Sequence, residues 1–170
     1  MKMSVKKIAI EGLLLAAASI AFLIESLIPP LMPVAPYVKI GVANVFVLFV
    51  LVCFGVKDAL VFVIAKNLLT ALVVPFAFVL NFAGSLSSFV LMAALYMSFS
   101  SRLSLVAVSV AGSTVSNIVR TGVAVVITNA PSLYVQLPFV GVFGICAGII
   151  IGILTILSLK HLPERLTNLK

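Results

Sequence analysis

Charged side chains are what this sequence has least of. They make up 9% of its 170 residues, against about a quarter in a water-soluble domain. No soluble surface can be built from that composition, so the solvent is lipid. Missing motifs remove further classes of chemistry. There is no GxxxxGK[ST] phosphate loop, which excludes ATP hydrolysis by that machinery. No aspartate-rich pair is present to hold magnesium and diphosphate. HExxH and GxSxG are absent, and no ligand-type residues cluster, so neither a catalytic constellation nor a metal site is expected. The only histidine, His161, sits in a basic tail as a solvated side chain. Cys53 and Cys146 lie far apart in apolar stretches and read as small buried apolar residues rather than a disulfide or metal pair.

What is present is hydrophobic sequence: 64% of residues, with a mean hydropathy of +1.38. A helix needs about 20 apolar residues to cross a bilayer. Proline, glycine, asparagine and charge divide the chain into six such runs, near Ile8–Ile28, Val38–Phe54, Asp58–Val74, Val79–Phe99, Ser104–Thr128 and Leu133–Leu159. Lys6-Lys7 ahead of an apolar run imitates a signal peptide, but the run is long enough to span and reads as the first helix. Strands of a membrane barrel would alternate polar and apolar residues, and these runs are apolar on every side. The expected fold is an all-α integral membrane protein of six transmembrane helices in a single domain over residues 1–170.

Six spans put both termini on one side, with Lys2, Lys6, Lys7, Lys57, Arg102, Lys160, Arg165 and Lys170. Only Lys39 falls in a loop on the other. The positive-inside rule makes the shared side cytoplasmic, in a cell membrane. The net charge of +7 is therefore a topology signal, with no nucleic acid implied.

Polar groups within lipid are functional candidates because they are costly there. The set is Glu25, Asn44, Lys66, Asn67, Asn81, Asn117 and Arg120, with Lys39 at the outer end of the second span. At about 1.5 Å per residue, Lys66 lies near the midplane and Arg120 in the outer half. Glu25, Asn44 and Asn117 also lean outward, which points to a cavity open to the outside. In the fifth span Ser109, Ser113, Ser116, Asn117 and Arg120 recur at spacings of three and four, forming one polar stripe. Such a stripe faces protein or water, and hydrogen bonding between helices is the plain alternative to ligand binding. Glu25 is the one acid near the depth of Arg120, so either those two pair or a ligand anion takes part. Lys66 has no acid at its depth and is the better anion-binding candidate. Small residues repeat at Gly144, Gly148 and Gly152, read as internal packing, and at Gly12, Ala16, Ala17 and Ala21, read as packing or a docking face.

Three segments carry a resemblance. Lys39-Ile40-Gly41-Val42-Ala43-Asn44, after a proline-rich loop, resembles the K-L-G-L-A-N signature of the Gx transporter family, also labelled heptaprenyl diphosphate synthase component I. Ser109-Val110-Ala111-Gly112 through Asn117 resembles its S-V-A-G-x-x-x-x-N helix. Phe54-Gly55-Val56-Lys57-Asp58-Ala59 resembles its F-G-x-K-D-A turn. That family is similar to the substrate-binding S components of energy-coupling-factor vitamin transporters. The resemblance implies a six-helix, S-component-like bundle without its own ATPase, a small molecule captured from outside, and an alanine-rich first helix that meets a transmembrane energising subunit. It implies flavin, riboflavin or FMN, as cargo, and no catalytic cofactor. Asn44 and Asn117 then hydrogen-bond the cargo's polar edge, Lys66 and Arg120 face a phosphate or polarised carbonyls, and Asn67, Glu25, Lys39, Asn81 and Ser113 complete the candidate substrate-binding set. Arg120 departs from the uncharged polar residue expected there, which favours a phosphorylated ligand. The other reading of the label is a non-catalytic membrane partner in polyprenyl diphosphate synthesis.

Overall fold

The computed structural model describes residues 5–28, 38–99 and 103–161. Six α-helices follow one another: α1 (Val5–Leu27), α2 (Ala43–Cys53), α3 (Val56–Val73), α4 (Phe78–Phe99), α5 (Leu105–Thr128) and α6 (Leu137–Lys160). No strand occurs among the described residues. The helices α1, α4 and α5 and the stretch Pro131–Lys160 are each long and apolar enough to cross a bilayer. The architecture is that of a multi-pass, all-helical membrane protein. The proline-rich stretch of residues 29–37 and residues 100–102 lie outside the described residues.

The ends of the helices follow from local chemistry. Gly55 takes φ +97 between α2 and α3, a backbone region that side-chain-bearing residues rarely enter. Ser104 caps α5, its hydroxyl accepting from the Ala107 N–H at 3.2 Å. Asn129 closes α5 in the left-handed conformation. Pro131 then opens a short 3-10 helix, Pro131–Gln136, so α6 begins at Leu137 rather than near Leu133.

Packing explains which helix is apolar all round. α2 touches α1, α3, α4 and α6, and nearly every one of its residues is buried. It occupies the middle of the bundle, where a helix without a polar face belongs. α5 lies between α4 and α6. Against α6 the fit is set by glycine: a Cβ on Gly148 would come 2.4 Å from the Val110 Cα, and one on Gly144 2.7 Å from the Thr114 Cα. The small-residue repeat of α6 is thus internal packing.

Two expectations are corrected. The second span was expected from Val38, but residues 38–42 are not helical and α2 covers only 11 residues. Cys146 is exposed on the outer face of α6, while Cys53 is buried. The glycine face of α6 turns inward, which leaves Cys146 facing away from the bundle.

Candidate functional site

The site forms where α2 begins. Eleven residues of helix rise about 16 Å, roughly half of a ~30 Å hydrocarbon core. The start of α2 therefore lies inside the bundle, level with the middle of α5. The backbone N–H of Lys39 donates to Asn117 Oδ1 at 3.2 Å, which fixes that level. Non-helical backbone at such depth persists only where protein or a cavity covers it. Here α1 and α5 cover it from two sides.

α1 supplies the other holds. The Gly41 N–H donates to Glu25 Oε1 at 2.7 Å. Lys39 Nζ donates to Ser26 Oγ at 2.9 Å and stands 4.4 Å from the centroid of the Phe22 ring, a cation–π distance. Gly41 has φ +79, so the turn into α2 requires glycine.

Lys39, Ile40, Gly41 and Asn44 face Ser113, Ser116, Asn117 and Arg120 of α5 around a narrow, tightly closed pocket. Five of the expected site residues thus meet: Lys39, Asn44, Ser113, Asn117 and Arg120. Glu25 reaches the pocket's backbone through Gly41. Gly41, Ile40 and Ser116 join the wall without having been expected there as site residues. The positive φ of Gly41 is the structural counterpart of the signal its sequence carried, a lone glycine in an apolar run just past the prolines.

Lys66, Asn67 and Asn81 are buried but not on this wall. Lys66 Nζ donates to Ser85 Oγ of α4 at 3.3 Å, a long bond for an ammonium. Asn67 Nδ2 donates to the Val63 carbonyl of its own helix at 2.8 Å. α4 contributes a polar face of Asn81, Ser85 and Ser88, all buried. The polar stripe of α5 is buried throughout, from Ser109 to Arg120.

Arg120 is the most consequential side chain. It is 5% exposed, and Gly84 of α4 makes room for it: a Cβ there would come 2.7 Å from Arg120 Nε. That Nε is buried with no partner among the described residues. The expected alternative of a Glu25–Arg120 ion pair is not formed. Glu25 Oε1 is held by the Gly41 N–H instead, and its Oε2 has no partner among the described residues. The ion pairs among the described residues lie at the opposite end, where Lys7 meets Asp58 at 2.7 Å and Glu11 at 3.9 Å. No group of three or more His, Cys, Asp and Glu side chains that could hold a metal occurs among the described residues.

The small-residue face of α1 splits in two. Ala18 and Phe22 are buried against the bundle. Gly12 and Ala16 are exposed, with nothing of the described chain within 4 Å of a Cβ placed on Gly12. Ala17 and Ala21 are half-buried.

Comparison with curated proteins finds no match. The family model described as heptaprenyl diphosphate synthase component I matches residues 14–157. That range holds the whole pocket, from Glu25 of α1 to Arg120 of α5, and the chain belongs to the heptaprenyl diphosphate synthase component I family.

Proposed function

We propose that this chain is a membrane-embedded binding subunit, without catalysis of its own, that captures a small vitamin-like molecule from the outer face, at a site part-way into its bundle. A flavin, riboflavin or FMN, is the proposed cargo. The observation that carries the reading is the narrow pocket between the start of α2 and α5, lined by Arg120, whose buried Nε has no partner among the described residues. The amides of Asn44 and Asn117 provide donors and acceptors for a polar edge. In this reading the chain behaves like an S component, and an energising transmembrane subunit docks on the Gly12, Ala16, Ala17 and Ala21 face. Lys6, Lys7, Lys57 and Lys160 mark the cytoplasmic side and Lys39 the outer side of the cell membrane. Outside reagents then label a cysteine placed at Ala35 but not one at Ser101; the reverse pattern inverts the orientation.

The family's name favours a second reading. It describes one component of a synthase, so the partner would be another synthase component and the ligand a prenyl diphosphate. Such a ligand joins an anionic head to an apolar tail, which suits a cationic pocket inside a membrane. Analysis of what co-purifies separates the two. A yellow, blue-light-absorbing species released on denaturation supports flavin. A lipid-extractable prenyl chain supports the synthase reading. Pure, folded protein that carries and binds neither removes both.

A further inference from the structure

We infer that the Lys7–Asp58 end of the bundle binds anionic phospholipid, with head-group phosphates on Lys6, Lys57 and Lys160 and acyl chains along the apolar helix faces beneath them. The inference rests on the multi-pass membrane architecture and is independent of the cargo.

The bundle brings these lysines to one end. The 2.7 Å bond between Lys7 and Asp58 sets the first turn of α1 beside the first turn of α3. α4, α5 and α6 pack antiparallel: Gly84 closes on Arg120 and Gly112 on Met92, while Gly144 closes on Thr114 and Gly152 on Val106. The last turn of α6, with Lys160, therefore lies past the start of α5. Leu159 of α6 and Tyr96 of α4 pack against the same core cluster as Ile10 of α1 and Val56 of α3.

Charge is sorted at this end. Among the described residues its carboxylates are Glu11 and Asp58, and both turn to Lys7, at 3.9 and 2.7 Å. Lys6, Lys57 and Lys160 are exposed and form no ion pair among the described residues. The acids are thus engaged inward on one lysine, and the charge that faces outward from this rim is cationic. Lys39, toward the opposite end, is turned onto Ser26 and the Phe22 ring instead.

Each of two exposed lysines also heads an apolar column. Below Lys57 on α3 come Val61, Ile64 and Leu68, all exposed. Counting back from Lys160 on α6 come Leu157, Ile153 and Ile150, also exposed. Steps of three and four keep such residues on one helix face. From Lys57 to Leu68 the column runs about 16 Å, close to half of a ~30 Å hydrocarbon core. A cation above one leaflet's depth of apolar surface matches a phospholipid, phosphate above and chains below. The lysine stem lies on apolar surface while its ammonium reaches the head-group layer. A zwitterionic head group carries its own cation. An anionic one leaves a net negative charge for the lysine, and basic residues at a membrane surface attract such lipids.

The test uses the full-length protein, purified in detergent and exchanged with equal amounts of phosphatidylglycerol and phosphatidylcholine. Native mass spectrometry reads the bound lipid. Phosphatidylglycerol should be retained over phosphatidylcholine, by about fivefold for each lysine engaged. Lys57→Gln should remove about that factor, and Lys57→Arg should keep it. Changing Lys6, Lys57 and Lys160 together to Gln should bring the ratio near one. Added salt should weaken the preference, because exposed charges are screened. Size-exclusion elution and helical circular dichroism confirm that each variant is folded, and the single variants decide the matter where the triple one is not. Equal retention of the two lipids by the unaltered protein overturns the inference and leaves the lysines to water or to an acidic protein partner. A preference that persists in folded Lys57→Gln, Lys6→Gln and Lys160→Gln proteins alike overturns the assignment to these lysines. Displacement of phosphatidylglycerol by inorganic phosphate at constant ionic strength shows that the rim takes free phosphate, and overturns the lipid as its occupant.

Discussion

The backbone N–H of Lys39 donates to the side-chain oxygen of Asn117 across 3.2 Å, between residues 78 positions apart. Two residues on, the Gly41 N–H donates to Glu25. One short non-helical segment is thus tied to α5 on one side and α1 on the other, and it forms one wall of the pocket.

Asn117→Ala should therefore loosen that wall. One neutral hydrogen bond contributes about 0.5–1.5 kcal/mol, so thermal stability should fall modestly. A cysteine placed at Ile40 should react faster with a polar thiol reagent in the Asn117→Ala background. An unchanged reaction rate would mean that other contacts hold the segment, and Asn117 would lose its assigned role.

Glycine substitutions should separate close helix contact from empty space. A Cβ on Gly148 meets the Val110 backbone at 2.4 Å, whereas one on Gly122 meets nothing within 4 Å. Gly122→Ala should be neutral or stabilising by up to about 1 kcal/mol through helix propensity. Gly148→Ala forces α5 and α6 apart and should destabilise by about 1–3 kcal/mol. Unfolding curves in one detergent decide it. Equal effects at the two sites would contradict the α5–α6 contact described.

Much of this fold was legible from the apolar runs and their breaks, because span length is set by the bilayer. The second run misled for a physical reason. Val38, Ile40 and Val42 are as apolar in an extended chain as in a helix, and hydropathy does not separate the two. Only Gly41 hinted at the turn. The polar stripe of α5 was legible because its spacing is helical and its members are costly in lipid. That Glu25 would bind a backbone N–H rather than Arg120 was not legible. Depth along a helix ranks side-chain partners, but backbone donors become candidates only once the non-helical segment is placed. Cys146 was misread because α6 is apolar all round, and only its glycine spacing marks the inner face.

At the other end of the bundle, Lys7 of α1 bonds Asp58 of α3 at 2.7 Å, with side chains 13% and 17% exposed. Lys7 also lies 5.5 Å from the Phe54 ring centroid. α1 is the least buried of the candidate spanning helices, so this tie weighs in its placement. Asp58→Asn should cost about 1–2 kcal/mol, between the values for exposed and buried pairs. The double variant Lys7→Met with Asp58→Asn should cost less than the sum of the single changes. Strict additivity in that cycle would show that the two charges do not stabilise each other.

The exposed part of the α1 face gives a partner prediction. Ala16 faces outward, and small residues permit close helix approach that an indole ring blocks. Ala16→Trp should abolish cellular uptake of labelled riboflavin while the purified variant keeps its ligand affinity. Uptake at the original level would remove this face as the docking surface. A variant that fails to fold would assign the face to the chain's own packing.

Lys66 yields the last prediction, because its two expected consequences have opposite signs. It is 2% exposed, and its hydrogen bond is the 3.3 Å contact with Ser85 Oγ. Holding an ammonium in such a place costs at least about 2.5 kcal/mol on membrane-insertion scales. Lys66→Met keeps the length of the side chain and removes that cost. The variant should melt at the same temperature or higher. An ammonium there, however, would act on an anionic ligand across a low-dielectric interior rather than by contact. Affinity for a phosphorylated probe such as FMN should fall, but by less than the roughly tenfold or more expected for a lost direct charge-assisted bond. Riboflavin binding should move little. Melting curves and FMN titrations on the same preparation give both readouts. A stability gain with unchanged FMN affinity would show that Lys66 has no part in binding. A loss larger than that of Arg120→Gln would place Lys66, and not Arg120, against the ligand.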